Sequence, residues 1–579
     1  MRRDGWDVYI KAKRRLNKMN NEEQREFTTS DAIVQELVRA GVSVAFGIVS
    51  IHNIPIYDAI QREGSIQLVC ARGESGAVNM ADGYARATGK LGVVITSTGT
   101  GAGNAAGSLV ETWSAGVPLL HLTGEVASPY LGTGRGYIHE CKDQLAMMEA
   151  CCKRAYLLRR PDQTVPLIRQ AIREAFATPA GPVTVEIPID YQMGIIPRTE
   201  IAEPVEHTLQ QVTPLPEVVI EKIAKAKRPV IWAGGGVITS GASAEVTRLA
   251  ELIGAAVITS QSGRGAIAED HPLCVGNFST APDVTALLKS SDLLISIGVR
   301  FKANETSFWK VEVPKEHIGI DADWQAFNRN YAMTHGLVGD AKQIIGQVAN
   351  QITKDESLTK QQYRDEVKTL REVVRGQIRS VLGPYEAFLD GMQKTLPRNA
   401  IVVRDVTVQA SLWGNKLLET YEPRTAIHAA GGGIGQGLPL AIGVQMGQMD
   451  KVVVLMAGDG GFMVNLGELA TVIQENLPLV IVLFDDAGYG VLRNVQDAAY
   501  GRRVAVDLVS PDFALLGRSV GLESVRVGSG EEFARQFEQA VVSRKPSLIV
   551  VDMQAVGPLP RSNSNPKGLR DAYSPKKFQ

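Results

Sequence analysis

Two apolar runs, each closed by glycine and aspartate, constrain this chain more than any other stretch. The first, Val452-Val453-Val454-Leu455-Met456-Ala457, ends in Gly458-Asp459-Gly460-Gly461. The second, Leu479-Val480-Ile481-Val482-Leu483-Phe484, ends in Asp485-Asp486-Ala487-Gly488-Tyr489-Gly490. Each run has the length of a buried strand and is too short to cross a membrane. Two buried parallel strands joined by a helical segment release an acidic residue at each carboxyl end. An isolated Gly-Asp-Gly is usually only a turn. Here it lies between two strand-like runs, with Asp486 following 27 positions after Asp459, and it reads as a site. The glycines let backbone N–H groups approach an anion, and two aspartates on neighbouring strand ends can share one hard divalent cation.

The same alternation runs along the rest of the chain. Ile33, Val34, Leu37 and Val38 line a helical face that ends at Gly41, residues 42–49 read as a strand, and a helix starts at Pro55. Further strands are expected at 66–69, 93–96, 119–122, 229–233, 293–297 and 318–320. Strands separated by helical segments predict an α/β fold of open, mainly parallel sheets covered by helices on both faces. A length of 579 residues exceeds what one core holds and predicts three domains. Their expected limits are an extension at 1–26, a first domain at 27–197 and a linker rich in Glu, Pro and Thr at 198–216. A central nucleotide-type domain at 217–352, a polar helical connection at 353–379, a third domain at 380–556 and a tail at 557–579 complete the chain.

A net charge of −1 gives no electrostatic reason to expect nucleic acid or an anionic membrane as partner. Five cysteines without C-x-x-C spacing predict reduced thiols in a cytoplasmic protein. The first residues are basic but no apolar signal core follows, so a dispensable extension is expected there.

Four more segments carry chemistry-bearing residues. Glu74, within Arg72-Gly73-Glu74-Ser75-Gly76-Ala77, follows an expected strand and precedes a helix of small residues, placing it at a strand end where sites collect. Ser97-Thr98-Gly99-Thr100-Gly101-Ala102-Gly103-Asn104 is a glycine-rich loop, and Asp405-Val406-Thr407-Val408-Gln409 follows the strand Ile401-Val402-Val403. Ala429-Ala430-Gly431-Gly432-Gly433-Ile434-Gly435-Gln436-Gly437 is a second glycine-rich loop.

With the opening motif, these segments make the chain resemble the thiamine-diphosphate-dependent enzymes, and within them the acetohydroxyacid (acetolactate) synthase and pyruvate oxidase group, over roughly residues 27–555. The resemblance implies thiamine diphosphate and Mg2+ as cofactors, with Asp459, Asp486 and Gly488 as metal ligands. It places Gly432, Gly433, Ile434, Gly458, Asp459, Gly460, Gly461, Asp486, Gly488, Tyr489, Gly490, Thr407 and Gln409 around the cofactor. Glu74 falls where a glutamate hydrogen-bonds the pyrimidine ring and so lets the cofactor's own amino group remove the thiazolium C2 proton. Ile434 falls where an apolar side chain bends the cofactor, and Gly432 where a backbone carbonyl accepts from that amino group.

Around the substrate the chain departs from the group. Gly73 stands where histidine is usual, Gly47-Ile48-Val49-Ser50-Ile51-His52-Asn53 replaces a Pro-Gly-Gly segment, and Ile138-His139-Glu140 replaces Phe-Gln-Glu. Val495 replaces a tryptophan that favours 2-ketobutyrate, and Asp486 replaces an asparagine. An imidazole in general titrates near neutrality, and His52 and His139 are expected either to guide the substrate and shuttle protons or to be hydrogen-bonded structural histidines. Gly234-Gly235-Gly236 and Gly298-Val299-Arg300-Phe301 are reminiscent of the group's flavin site, but Lys302-Ala303-Asn304-Glu305 replaces its usual acidic pair and arginine, so a pocket without FAD is favoured over one that holds it.

The implied reaction is decarboxylation of a 2-keto acid and ligation of the resulting enamine to a second carbonyl compound, a transferase or lyase activity. A homodimer or homotetramer with sites at the subunit interface is implied as well. Three alternatives stay open: a 2-keto acid decarboxylase releasing aldehyde, a flavin-dependent 2-keto acid oxidase, and a catalytically silent regulatory relative.

Overall fold

Apolar runs buried on both faces need a parallel sheet with helices on each side. The computed structural model, which describes residues 26–198, 215–354 and 356–557, contains three such sheets, each of six parallel strands. The first comprises β1 (Val44–Gly47), β2 (Gln67–Cys70), β3 (Gly92–Thr96), β4 (Leu119–Glu125), β5 (Arg154–Leu157) and β6 (Pro182–Pro188), in the order β2-β1-β3-β4-β6-β5. The helices α1 (Glu74–Thr88) and α2 (Thr100–Ala115) follow β2 and β3. The second comprises β7 (Pro229–Ala233), β8 (Ala256–Thr259), β9 (Cys274–Gly276), β10 (Leu293–Ile297), β11 (His317–Asp321) and β12 (His335–Val338), in the order β12-β11-β10-β7-β8-β9. That is the dinucleotide-fold order, with its reversal between β7 and β10.

After the connecting helix α3 (Leu358–Arg379), the third sheet comprises β13 (Ile401–Arg404), β14 (Ala426–His428), β15 (Val453–Gly458), β16 (Leu479–Asp485), β17 (Glu523–Val527) and β18 (Ser547–Asp552). Its order, β14-β13-β15-β16-β18-β17, repeats that of the first sheet. A further helix, α4 (Gly437–Gly447), precedes β15. The expected extension, linker and tail lie almost wholly outside the described residues.

Two local differences from the sequence reading have physical causes. The strand expected at 42–49 spans only Val44–Gly47, because the Asn53 amide donates to the Ile48 carbonyl and accepts from the Ser50 N–H, turning the chain. The connection expected to be simply polar carries a buried stripe of Tyr363, Val367 and Val374. Its Lys360 Nζ donates to the carbonyls of Ala226 and Ile253, both at 2.6 Å, and Tyr363 Oη to that of Pro229 at 3.1 Å, so α3 braces the central domain.

The first and third domains share one core, centred on the crossing of α1 and α4. Glycine permits the approach. A Cβ on Gly443 would lie 1.8 Å from the Met80 carbonyl oxygen, and one on Gly83 would lie 2.2 Å from that of Leu440. This crossing sets Glu74, the first residue of α1, relative to the glycine-rich loop that leads into α4.

Candidate active site

β15 and β16 are parallel neighbours, with Gly458 opposite Phe484, so Asp459 and Asp486 emerge side by side. Asp459 is buried, and its Oδ2 accepts from the Gly488 N–H at 2.8 Å and the Ser510 hydroxyl at 3.0 Å. Burial and then the Asp459 carboxylate hold the Asp486 carboxyl above the usual range, partly offset by Arg493, whose Nη1 lies 3.6 Å from Asp486 Oδ2. Arg493 also pairs with Asp507 at 2.7 Å and donates to the carbonyls of Asp486 and Ala487. It is the countercharge for an aspartate at a position where the resemblance expects an amide, and sequence reasoning missed it.

Burial raises the proton affinity of both carboxyls, with Asp485 adding to it at Asp459 and Asp459 at Asp486, and both ionise readily once a divalent cation lies between them. Among the described residues no cluster of three or more His, Cys, Asp or Glu side chains forms a metal cage. Two carboxylates completed by backbone, water and phosphate oxygens suit Mg2+. The motif's glycines fit the site around them. A Cβ on Gly460 would lie 2.7 Å from the Tyr489 ring, one on Gly490 would lie 2.2 Å from Asp486 Oδ2, and one on Gly488 would lie 2.2 Å from the Arg493 guanidinium.

Thr407 borders this cradle, its Oγ1 lying 3.1 Å from a Cβ built on Gly458. Gln409 does not. It is buried, its Oε1 accepting from the Thr407 hydroxyl at 2.9 Å and its Nε2 pointing to Met553 Sδ at 3.0 Å. Gly461 lies against Gly435 and Asp405, and the buried Asp405 carboxylate accepts from the Gly435 N–H at 3.1 Å and the Gly437 N–H at 3.0 Å. Gly432 has a φ of 94°, with nothing among the described residues within 4 Å of where a Cβ would stand, and Gly433 lies beside it. Ile434 is 41% exposed.

On the first domain, Glu74 opens α1, and its Oε2 accepts from Asn104 Nδ2 of α2 at 3.1 Å. The N–H groups of Arg72 and Gly73 donate to Glu468 Oε1 at 2.9 and 3.1 Å. Ser75 Oγ bonds Asn465 Oδ1 at 3.2 Å, and Asn465 Nδ2 donates to the Gly435 carbonyl at 2.7 Å. The turn bearing Glu74 is thereby tied to the loop bearing Ile434. Among the described residues, Glu74 itself shares no hydrogen bond with the Asp459 cluster of its own chain.

His52 and His139 come together, their ring centroids 5.2 Å apart. His52 is 2% exposed and its Nδ1 lacks a partner among the described residues; burial first and His139 second lower its proton affinity, which favours the neutral ring. His139 has a φ of 65°, a left-handed conformation uncommon for a residue with a side chain. Its carbonyl oxygen lies 2.0 Å from where Gly99 would carry a Cβ, and its Nδ1 is 3.4 Å from Ser97 Oγ. The Glu140 carboxylate fixes this loop by accepting from the N–H groups of Gly134, Gly136 and Tyr137. Ser97 Cβ and Glu74 Oε1 lie 2.8 and 3.2 Å from a Cβ built on Gly101, so Ser97 and Gly101 link the histidine pair to Glu74.

A cavity of about 780 Å³ separates the three domains, lined by Gly235, Gly236, Gly298, Arg300, Lys302 and Asp321 at the reversal of the central strand order. Arg300 Nη1 donates to the Ser114 carbonyl and Lys302 Nζ to the Ala430 carbonyl, both at 2.8 Å, so both cations bridge to neighbouring domains.

The fold and site define a three-domain α/β protein whose third sheet presents an acidic pair and a glycine cradle suited to a metal diphosphate. Residues 27–147, 217–348 and 407–551 match the N-terminal TPP-binding domain, the central domain and the C-terminal TPP-binding domain of thiamine pyrophosphate enzymes. The chain belongs to that family, whose cofactor is thiamine diphosphate under its other name. It is 30% identical over 552 residues to a probable acetolactate synthase large subunit of Methanocaldococcus jannaschii, covering 92% of this chain and 93% of the relative. It is 32% identical over 519 residues to a probable 2-ketoarginine decarboxylase of Pseudomonas aeruginosa, covering 86% and 89%. It is 26% identical over 551 residues to the acetolactate synthase isozyme 3 large subunit of Escherichia coli, covering 91% and 95%. Among the described residues no helix is long and apolar enough to cross a membrane.

Proposed function

We propose that this chain is a cytoplasmic enzyme, dependent on thiamine diphosphate and Mg2+, that decarboxylates a 2-keto acid and joins the remaining acyl carbon to a second carbonyl compound. The carrying observation is the pair formed by buried Asp459 and half-buried Asp486 in its glycine cradle, with Glu74 presented on a separate domain. Asp459, Asp486 and the Gly488 backbone hold the metal, and the surrounding residues from Thr407 to Gly490 named above, Gln409 excepted, hold the diphosphate. Bound thiamine diphosphate supplies a carbon nucleophile and an electron sink for loss of carbon dioxide. Glu74, oriented by Asn104, holds a proton at the pyrimidine nitrogen. Ile434 and the Gly432 carbonyl set the cofactor's shape. His52, neutral, and His139 orient the substrate and exchange protons with it. The domain limits given by the sequence reading define the working units.

Ile434, Met463 and Val464 in the third domain, and Val49, Ile51 and Ile138 in the first, are 41–58% exposed. A second copy of the chain covers them and brings its Glu74 to this Asp459, giving at least a homodimer. The cavity works without FAD, a reading supported by Lys302 and Arg300 being bound to backbone carbonyls of neighbouring domains. A second reading, aldehyde release, is favoured by the His52–His139 pair, which sits near Glu74 and can deliver a proton.

The test supplies keto acids singly and in pairs with thiamine diphosphate and Mg2+, reading carbon dioxide and products by mass spectrometry. A mixed ligation product supports the proposal. Aldehyde alone selects the decarboxylase, a yellow purified protein selects the flavin oxidase, and silence across the screen selects the regulatory relative.

A further inference from the structure

The loop at 429–437 is gripped from outside its own domain. Glu111, near the carboxyl end of α2, accepts from the Gly431 N–H at 2.7 Å through Oε2 and from the Gly433 N–H at 2.8 Å through Oε1. Between them Gly432, with its φ of 94°, turns the flanking amides toward one carboxylate, the geometry of a backbone anion nest. A Cβ on Gly431 would lie 2.5 Å from the Glu111 carboxylate and one on Gly433 2.8 Å, whereas one on Gly432 would meet nothing within 4 Å among the described residues. Two of the three glycines therefore make room for Glu111, and the third serves the backbone turn. Lys302 of the central domain holds the Ala430 carbonyl at 2.8 Å, and Gln436 Nε2 holds that of Gly433 at 3.0 Å.

We propose that Glu111 is a positioning residue that sets the Ile434 loop by occupying this nest, so that the first domain presets cofactor geometry in the third domain of its own chain. The inference rests on the reading of Ile434 as the cofactor's prop. A run of three glycines loses more conformational freedom on ordering than any other, so it needs an external tether to hold one shape. Bonds from backbone N–H groups to a carboxylate are among the stronger ones available.

Two variants, E111A and E111Q, test this with two readouts. The first is amide hydrogen exchange of the apo protein over 429–437. Each lost charge-assisted bond lowers protection about tenfold or more, so E111A is the least protected and E111Q, which keeps one acceptor but turns an amide N–H toward the loop, is intermediate. Protection of β13 and β15 stays at the wild-type level, which separates a loosened loop from a misfolded chain. The second readout is the rate of thiazolium C2 proton exchange at saturating cofactor and Mg2+, expected to fall about tenfold in E111A by the same loss. Unchanged protection at 429–437 in E111A overturns the proposal, as does lost protection with a wild-type C2 exchange rate. Failure of the wild-type protein to exchange the C2 proton at all would instead overturn the proposed function, leaving the loop protection to judge Glu111.

Discussion

Gly443→Ala puts one methyl group into the contact that joins the first and third domains. The new Cβ would stand 1.8 Å from the Met80 carbonyl oxygen, where ordinary contact begins near 3.4 Å. Either α1 or α4 must retreat by roughly 1.5 Å, and because both are buried there, the move disturbs packing along the crossing. Overpacking of this kind costs about 1–3 kcal/mol or more. Alanine's better helix propensity returns only about 1 kcal/mol. The expected net effect is destabilisation, with Glu74 displaced at the start of α1. Gly376→Ala in α3 is the matched control: that glycine is exposed, a Cβ there meets nothing within 4 Å, and the propensity gain should appear alone. A three-domain chain need not unfold in one step, so hydrogen exchange of the α1 and α4 amides is the assay, with the thermal midpoint as a check of sign. G443A should lose protection in both helices while G376A gains a little stability. A G443A protein as protected as wild type, or one whose midpoint rises like that of G376A, would refute the reasoning.

Three other outcomes follow from the site and its surroundings. Glu74→Gln should keep most cofactor affinity and lose at least about 100-fold in C2 proton exchange, and a wild-type exchange rate would remove its assigned role. Asp459→Ala should weaken Mg2+-dependent binding of thiamine diphosphate by about 100-fold or more in calorimetry, and unaltered affinity would place the metal elsewhere. Glu186, in β6, is pushed up to about 8 from an ordinary 4.5 by burial first and by Glu125 second. The folded chain therefore keeps a proton that the unfolded chain releases, and stability falls as pH rises through that window, by up to about 5 kcal/mol. In E186Q that slope disappears: the midpoint difference from wild type should grow between pH 5 and 8 and level off above, whereas a difference flat across that range would show that Glu186 ionises normally.

The sequence by itself determined the three parallel sheets and the cofactor family, because both are written in short segments. Continuous apolar runs such as Val453–Gly458 admit little besides a buried parallel strand, and the residues that such a strand releases, Gly458 and Asp459, are its immediate neighbours in the chain. Glu74 was legible for the same reason, at the junction of β2 and α1. Only the tertiary structure decided which partners those residues meet. Arg493 offsets the extra charge of Asp486, Asn104 orients Glu74, and Gln409 turns into the core toward Met553 and away from the diphosphate cradle. His52 and His139 become a pair because loops from two strand ends converge, and Gly431 and Gly433 are glycines because a carboxylate from another domain lies between their amides. Motifs report what a segment can do locally, but charge compensation, side-chain orientation and close backbone approach depend on which atoms the packed fold brings together, whether the partner lies 7 residues away, as Arg493 does from Asp486, or 320, as Glu111 does from Gly431.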